Sequence, residues 1–362
     1  MRLLVGTAKG LVVYHQKHDD WQIASVHFAG FPVSMVYVDQ RTQTWWAGLP
    51  HRHWGQKLQR STDKGRTWQQ IATPRYPVEK QGDSTLKNVK QTKLKLIWCM
   101  AQAGADKPSE LWLGTEPGGL FHSRDNGDSW QLVESLWKHP SRRELWFGAG
   151  KDEPFIHSIV VDPRDSNHVY IAVSCAGVFE TKDGSKTWFP RNVGLKATYL
   201  PNPNIAVGHD PHLLLACTND PSVLWQQNHC GIFRSTDYGL TWDDVSDKNG
   251  MAHYGFALAI DPQNPNRAWV IPAQSDEVRI PHDLALCVCR TEDGGQTWQQ
   301  MREGLPQENC FDIVFRHSFA NKGDTMAFGT TTGNLYLSEN GGDNWQCLTH
   351  HLARIDSVLF ID

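Results

Sequence analysis

STDKGRTW (61–68), SRDNGDSW (123–130), TKDGSKTW (181–188), STDYGLTW (235–242), TEDGGQTW (291–298) and SENGGDNW (338–345) are six copies of one octet. Each component has a mechanical role. An Asp oxygen accepts N–H groups of its own turn, Gly supplies positive φ, and a Ser or Thr hydroxyl adds a partner. The closing Trp anchors the hairpin in the core. Two copies depart from the pattern: the box at 181–188 carries Gly184 one place early with Ser185 following, and the last carries Asn340 and Asn344. Asn tolerates the same turn geometry, so the turn is retained.

The octet tryptophans (68, 130, 188, 242, 298, 345) are 62, 58, 54, 56 and 47 residues apart, a period that suits four strands plus variable loops. Between boxes the chain reads strand, Asp-Pro turn, strand, Gly turn, strand, as in 156–188, with no helical periodicity. The N-terminal GTAKGLVVYHQKHDDW (6–21) aligns with GTTTGNLYLSENGGDNW (329–345), which makes a seventh repeat whose box has decayed. Its missing innermost strand is supplied by IDSVLFID (355–362), which closes the ring and removes exposed edges. The expectation is all-β: one seven-bladed β-propeller domain over 1–362, with the C-terminal strand completing the first blade.

Composition narrows the function classes. The 362 residues carry a formal charge of -4, and no run of basic residues offers itself to a phosphate backbone, so nucleic acid is not an expected partner. No stretch is long enough to span a membrane, and the N-terminus lacks the h-region of a signal peptide. Eight cysteines lie scattered in apolar strand-like segments, which reads as a reduced, cytoplasmic protein. The close pair Cys287 and Cys289 reads as packing, because a zinc site needs further ligands. A monomer without a resident cofactor is expected.

The octets resemble the Asp-box, or bacterial neuraminidase repeat, of sialidase-like propellers, and the resemblance covers nearly the whole chain. It implies fold more than chemistry. Related families include sialidases, xyloglucan hydrolases, sortilin-type receptors and photosystem II assembly-factor-like propellers, and the chain is similar to compact bacterial proteins labelled exo-alpha-sialidase-like or glycosyl hydrolase. The sialidase pattern implies three arginines around a carboxylate and an Arg-Ile-Pro tripeptide before the first box. Arg279-Ile280-Pro281 matches the tripeptide but lies in the sixth blade, and Arg60, Arg234 and Arg290 immediately precede boxes, away from the channel. Classical sialidase activity is not expected.

In a propeller the first strand of each blade lines the channel, while the boxes sit on the opposite face from the functional mouth. First-strand starts are expected at Ser34, Trp98, His157, His212, Phe256, Asp312 and Asp356. Second-to-third loops bring Lys9, the His51-Arg52-His53-Trp54 cluster, Glu116, Ser174, Asn228-His229 and Ser275-Asp276-Glu277. Entry loops add Arg142-Arg143, His209-Asp210, His253-Tyr254 and Glu308-Asn309. Catalytic candidates are His157, His212, His229, Glu116 and Asp276. Ligand-binding candidates are Trp98, His157, His209, Asp210, His212, Asn228, His229, His253, Ser275 and Asn309.

Two mechanisms follow if the histidines converge. An imidazole with a carboxylate acts as general acid or base on a sugar, or His157, His212 and His229 together hold a divalent metal. For glycoside hydrolysis the carboxylate pair is drawn from Glu116, Asp210, Asp276, Glu277 and Asp312. Trp54, Trp98, Trp137 and Trp146 offer a stacking platform, and 134–155, with a Gly148-Ala149-Gly150 hinge, is the lid candidate. Two functions fit: a binding or assembly module that meets a protein, polar small molecule or carbohydrate on the funnel face, or a cytoplasmic glycoside hydrolase or lyase.

Overall fold

The computed structural model describes residues 1–18, 20–51, 53–77, 92–148 and 150–362. These form seven four-stranded antiparallel sheets arranged as propeller blades. In the first blade the innermost strand is Ile355–Ile361, followed outward by Arg2–Thr7, Gly10–Lys17 and Asp20–His27. The C-terminal strand thus pairs with the N-terminal one, from Arg2 opposite Ile361 to Gly6 opposite Ser357. The other inner strands are Met35–Asp39, Leu96–Gln102, Ile156–Asp162, Pro211–Ala216, Gly255–Ile260 and Phe319–Lys322. The last differs from expectation. Asp312 does not open an inner strand, because the apolar run after it remains loop and the chain reaches Phe319 through a 3-10 turn at Arg316–Ser318. Asp312 instead anchors that loop, accepting from Thr332 Oγ1 and, at 2.9 Å, from Asn334 Nδ2.

The octets sit between third and fourth strands. In the first, Ser61 Oγ donates to Asp63 Oδ1 (2.8 Å) and accepts from Gly65 N (2.8 Å), while Thr67 N and Oγ1 donate to Asp63 (2.9 and 2.6 Å). The Thr67 and Ser61 bonds hold the Asp63 carboxyl down to about 2. The same pattern recurs around Asp125, Asp183, Asp237 and Asp293, and in part around Asn340. Neighbouring blades are clasped at these turns. Arg60 donates to Asn126 O (3.0 Å) and Arg290 to Gly341 O (3.1 Å), each reaching the next blade's octet. Arg234 likewise donates to Asn266 Oδ1 (2.6 Å) in the next blade, so Arg60, Arg234 and Arg290 are architectural.

Apolar side chains from facing sheets fill the space between blades, for example Trp269, Ile271, Phe319, Phe328 and Trp345 between the last two. All eight cysteines are free, and Cys287 and Cys289 lie 3.9 Å apart in this packing. Inner strands from all seven blades enclose a central cavity of about 320 Å³ with walls such as Met100, Leu214 and Val358. Among the described residues no helix is long and apolar enough to cross a membrane.

One local feature positions the site. A register shift falls at Trp98, His157, His212, Phe256 and Asp356, so five blades carry a bulge at the same place near the start of the inner strand. A bulge re-aims its side chain out of the sheet pattern. The repeat therefore delivers five side chains to one end of the channel.

Candidate functional site

His157 and His212 occupy equivalent bulges, and each ring reaches across to the next blade. His157 Nε2 donates to Pro211 O (2.7 Å) and His212 Nδ1 donates to Gly255 O (2.6 Å). A carbonyl can only accept, so these bonds assign the tautomers. The second nitrogens differ. His157 Nδ1 bonds Ser158 Oγ (2.9 Å), which leaves this fully buried ring committed at both ends. Burial, together with Arg316 and His317, holds its pKa well below the usual imidazole value. His212 Nε2 instead faces Asp210 Oδ2 at 3.5 Å.

Asp210 enters just before the bulge. Its Oδ1 accepts from Ser174 Oγ (2.8 Å) and Cys175 N (3.2 Å), which turns Oδ2 toward His212 and His229. Burial alone would raise this carboxyl, but the His212 contact, the Arg316 charge and the Ser174 bond outweigh it and keep it ionised. His212 shows the opposite balance: burial lowers its pKa against the pull of Asp210. His229 Nδ1 lies 3.7 Å from Asp210 Oδ2, and its Nε2 lies 3.4 Å from Asp276 Oδ2. Tyr199 and Tyr254 pack edge-on against the His229 ring at 5.0 and 5.7 Å.

Arg316 lies where this cluster meets the channel. Its guanidinium sits over Trp98, Phe155 and Phe256 at 5.6, 5.2 and 5.5 Å. Trp98 and Phe155 stack at 4.4 Å, as do Phe256 and His212 at 4.6 Å, so the rings form a continuous wall. Arg316 Nε is buried without a partner, and burial lowers the guanidinium pKa to about 10 against the attraction of Asp210. Arg279 reaches the same wall, 5.4 Å over Phe256.

The structure thus brings together His212, His229, Asp210 and Asp276, with Trp98 in the adjoining wall. Other candidates lie apart or are committed locally. His157 belongs to the blade clasp. Glu116 is buried 3.6 Å from Lys151. His209 donates Nε2 to Ile205 O (2.6 Å). Asn228 closes its own turn, accepting from Cys230 N (3.0 Å) and donating to Gln226 (3.0 Å). Ser275 accepts from Val278 N (3.0 Å), and His253, Glu277 and Asn309 are exposed. Trp54 is 76% exposed beside His51. Trp137 lies under Arg142, and Trp146 is buried against Phe179, so these tryptophans form no platform with Trp98. In the lid candidate, Glu134–Trp137 and Pro140–Leu145 are short helices, and Leu136 and Trp146 are packed into the core. Arg52 and Ala149 lie outside the described residues.

Sequence reasoning did not single out Arg316, Phe155 or Tyr199. Arg316 follows from moving the last inner strand to Phe319, which places Arg316-His317 where other blades carry Trp98 or His157. Nothing in the repeat marks Phe155 or Tyr199.

No family model matches the chain. The oligoxyloglucan-reducing end-specific xyloglucanase of Emericella nidulans is 22% identical over 268 residues, covering 66% of this chain and 31% of that protein. The chain therefore spans about a third of the length of such relatives. Among solved structures, an ancestral GH74 enzyme superposes with a TM-score of 0.57 at 16% identity, over 87% of this chain and 38% of the other. YCF48 from Cyanidioschyzon merolae superposes with a TM-score of 0.56 at 15% identity, over 93% of this chain and 90% of that one. Both structural likenesses speak for the propeller fold. The sequence relatives are named as xyloglucanases.

Proposed function

We propose that the chain is a carbohydrate-active enzyme, a glycoside hydrolase or lyase, working at the funnel end of the channel. The observation that carries this reading is the Asp210–His212–His229–Asp276 cluster set against an aromatic wall that holds Arg316. Rings bind sugar faces, and convergent titratable groups supply the chemistry. The xyloglucanase relatives favour the enzyme over a binding or assembly module.

The geometry bears on how such a reaction runs. Asp210 and Asp276 each face a different nitrogen of the same His229 ring, which links the two carboxylates through one imidazole. The reacting group is therefore drawn from the histidine–aspartate centre as a whole, with Arg316 and Arg279 available to a negatively charged or polar part of the sugar.

A panel of neutral and acidic oligosaccharides tests this, with new reducing ends reporting hydrolysis and ultraviolet absorbance reporting the double bond that a lyase leaves. Turnover of at least one glycan, reduced about 100-fold or more in His229→Ala, is expected. No turnover across the panel, or equal turnover by the variant, rejects the proposal.

A further inference from the structure

We infer that Asp210 Oδ2, His212 Nε2 and His229 Nδ1 form a three-ligand site for a divalent transition metal of zinc-like character. The inference shares only its location with the carbohydrate reading.

His212 gives its Nδ1 hydrogen to Gly255 O, so in the neutral ring Nε2 carries the lone pair, 3.5 Å from Asp210 Oδ2. In His229 the Asp276 carboxylate faces Nε2 at 3.4 Å and Nδ1 lies 3.7 Å from the same Asp210 oxygen, so the tautomer with its hydrogen on Nε2 leaves Nδ1 free as a ligand. Asp210 Oδ1 is already occupied by Ser174 and Cys175, so Oδ2 is its free donor. Three potential ligand atoms therefore converge, all within 4.8 Å of one another. A cation at their centre would be shared by all three.

The spacing suits such a cation. Bonds of about 2.0–2.2 Å to N and O place tetrahedral ligand atoms about 3.4 Å apart, close to the two observed separations. Each ligand is also held from behind, His212 by a carbonyl, His229 by a carboxylate, and Asp210 by a hydroxyl and a backbone N–H. Such outer partners fix tautomer and orientation in metal sites. Two imidazoles and one carboxylate suit zinc or iron rather than calcium or magnesium, which favour oxygen. Three protein ligands leave a coordination position open toward the funnel, as in catalytic rather than structural zinc sites. Arg316 carries a charge of the same sign as the metal, and it is held over Trp98, Phe155 and Phe256 rather than among the ligands.

Zinc titration of chelator-stripped protein by calorimetry, with metal content after dialysis, tests the assignment without any saccharide. One zinc per chain is expected. His229→Ala, a partly exposed position, should weaken binding by about 100-fold or more, and Asp276→Asn, which touches only the back of His229, by about 10–100-fold. A His51→Ala, His53→Ala double variant controls for adventitious surface histidines and should bind as the parent does. Thermal melts verify that each variant is folded. No stoichiometric zinc, or equal zinc binding by the folded His229→Ala protein, overturns the site. Zinc binding without any glycan turnover would fail the carbohydrate reading alone.

Discussion

Replacing Asp210 with asparagine separates the protonation scheme above from its main rival. With His212 neutral and its Nδ1 hydrogen on Gly255, the new side-chain amide can donate to the His212 Nε2 lone pair, turning two opposed acceptors into a hydrogen bond of about 1 kcal/mol. The substitution also removes a buried carboxylate whose desolvation costs several kcal/mol. Against this stands the lost attraction to Arg316, which acts on Asp210 through space rather than through a direct ion pair; at an effective dielectric of about 20 that loss stays below about 4 kcal/mol. In the native carboxylate the attractions outweigh desolvation, so Asp210→Asn should lower unfolding free energy, by about 1–2 kcal/mol after the new amide bond is counted, in urea at neutral pH. Zinc binding should be lost at the same time. If His212 were instead an imidazolium paired with Asp210, breaking that buried pair would cost about 3–5 kcal/mol. A loss of that size refutes the neutral-histidine reasoning and the metal geometry built on it.

Three further outcomes test the scaffold. Ser185 takes φ 74 where other octets place glycine, and its backbone carries the turn's bonds, so Ser185→Gly should raise stability by about 0.5–1 kcal/mol in urea. Glu180 is 1% exposed. Burial raises its carboxyl, but bonds from His168, Tyr170 and Arg191 prevail and hold it down to about 2 from 4.5. A depressed carboxyl stabilises the fold above its unfolded pKa, so up to about 3 kcal/mol should be lost as pH falls from roughly 5 to 2. Glu180→Gln should flatten that part of the stability curve, and an unchanged acid limb would contradict the assignment. Phe360 is buried on the closing strand against Trp21, at 6.0 Å, and Phe360→Ala should cost about 3–5 kcal/mol with loss of cooperative unfolding. A cost below about 1 kcal/mol would mean that the ring does not depend on this closure.

Much of the scaffold was legible because octet turns are local. An Asp bonding N–H groups four residues on needs nothing from the rest of the chain, so six turns and their period could be read directly. Ring closure was readable for a different reason: one repeat lacked an inner strand, and 355–362 was the one apolar strand left over. The last inner strand was misplaced because Ile313–Phe315 has strand composition, but its backbone is spent on a loop tied to Thr331.

The candidate site was legible only as a set of residue types. His157 and His212 stand at matching places in their repeats, and sequence treats them alike. Their chemistry diverges because Ser158 satisfies one ring while Asp210 meets the other. Asp276 could be named as a funnel carboxylate, but its place behind His229 depends on how two loops from adjacent blades meet. Arg316 acquires its setting from Trp98, Phe155 and Phe256, which belong to other blades far back along the chain. The amino-acid sequence by itself determined the turns, the repeat and the ring, because these rest on bonds between near neighbours and on an apolar pattern repeated blade by blade. Only the tertiary structure decided which nitrogen of each histidine is free and which charges share a pocket, because those follow from the orientation of side chains that the ring brings together from distant blades.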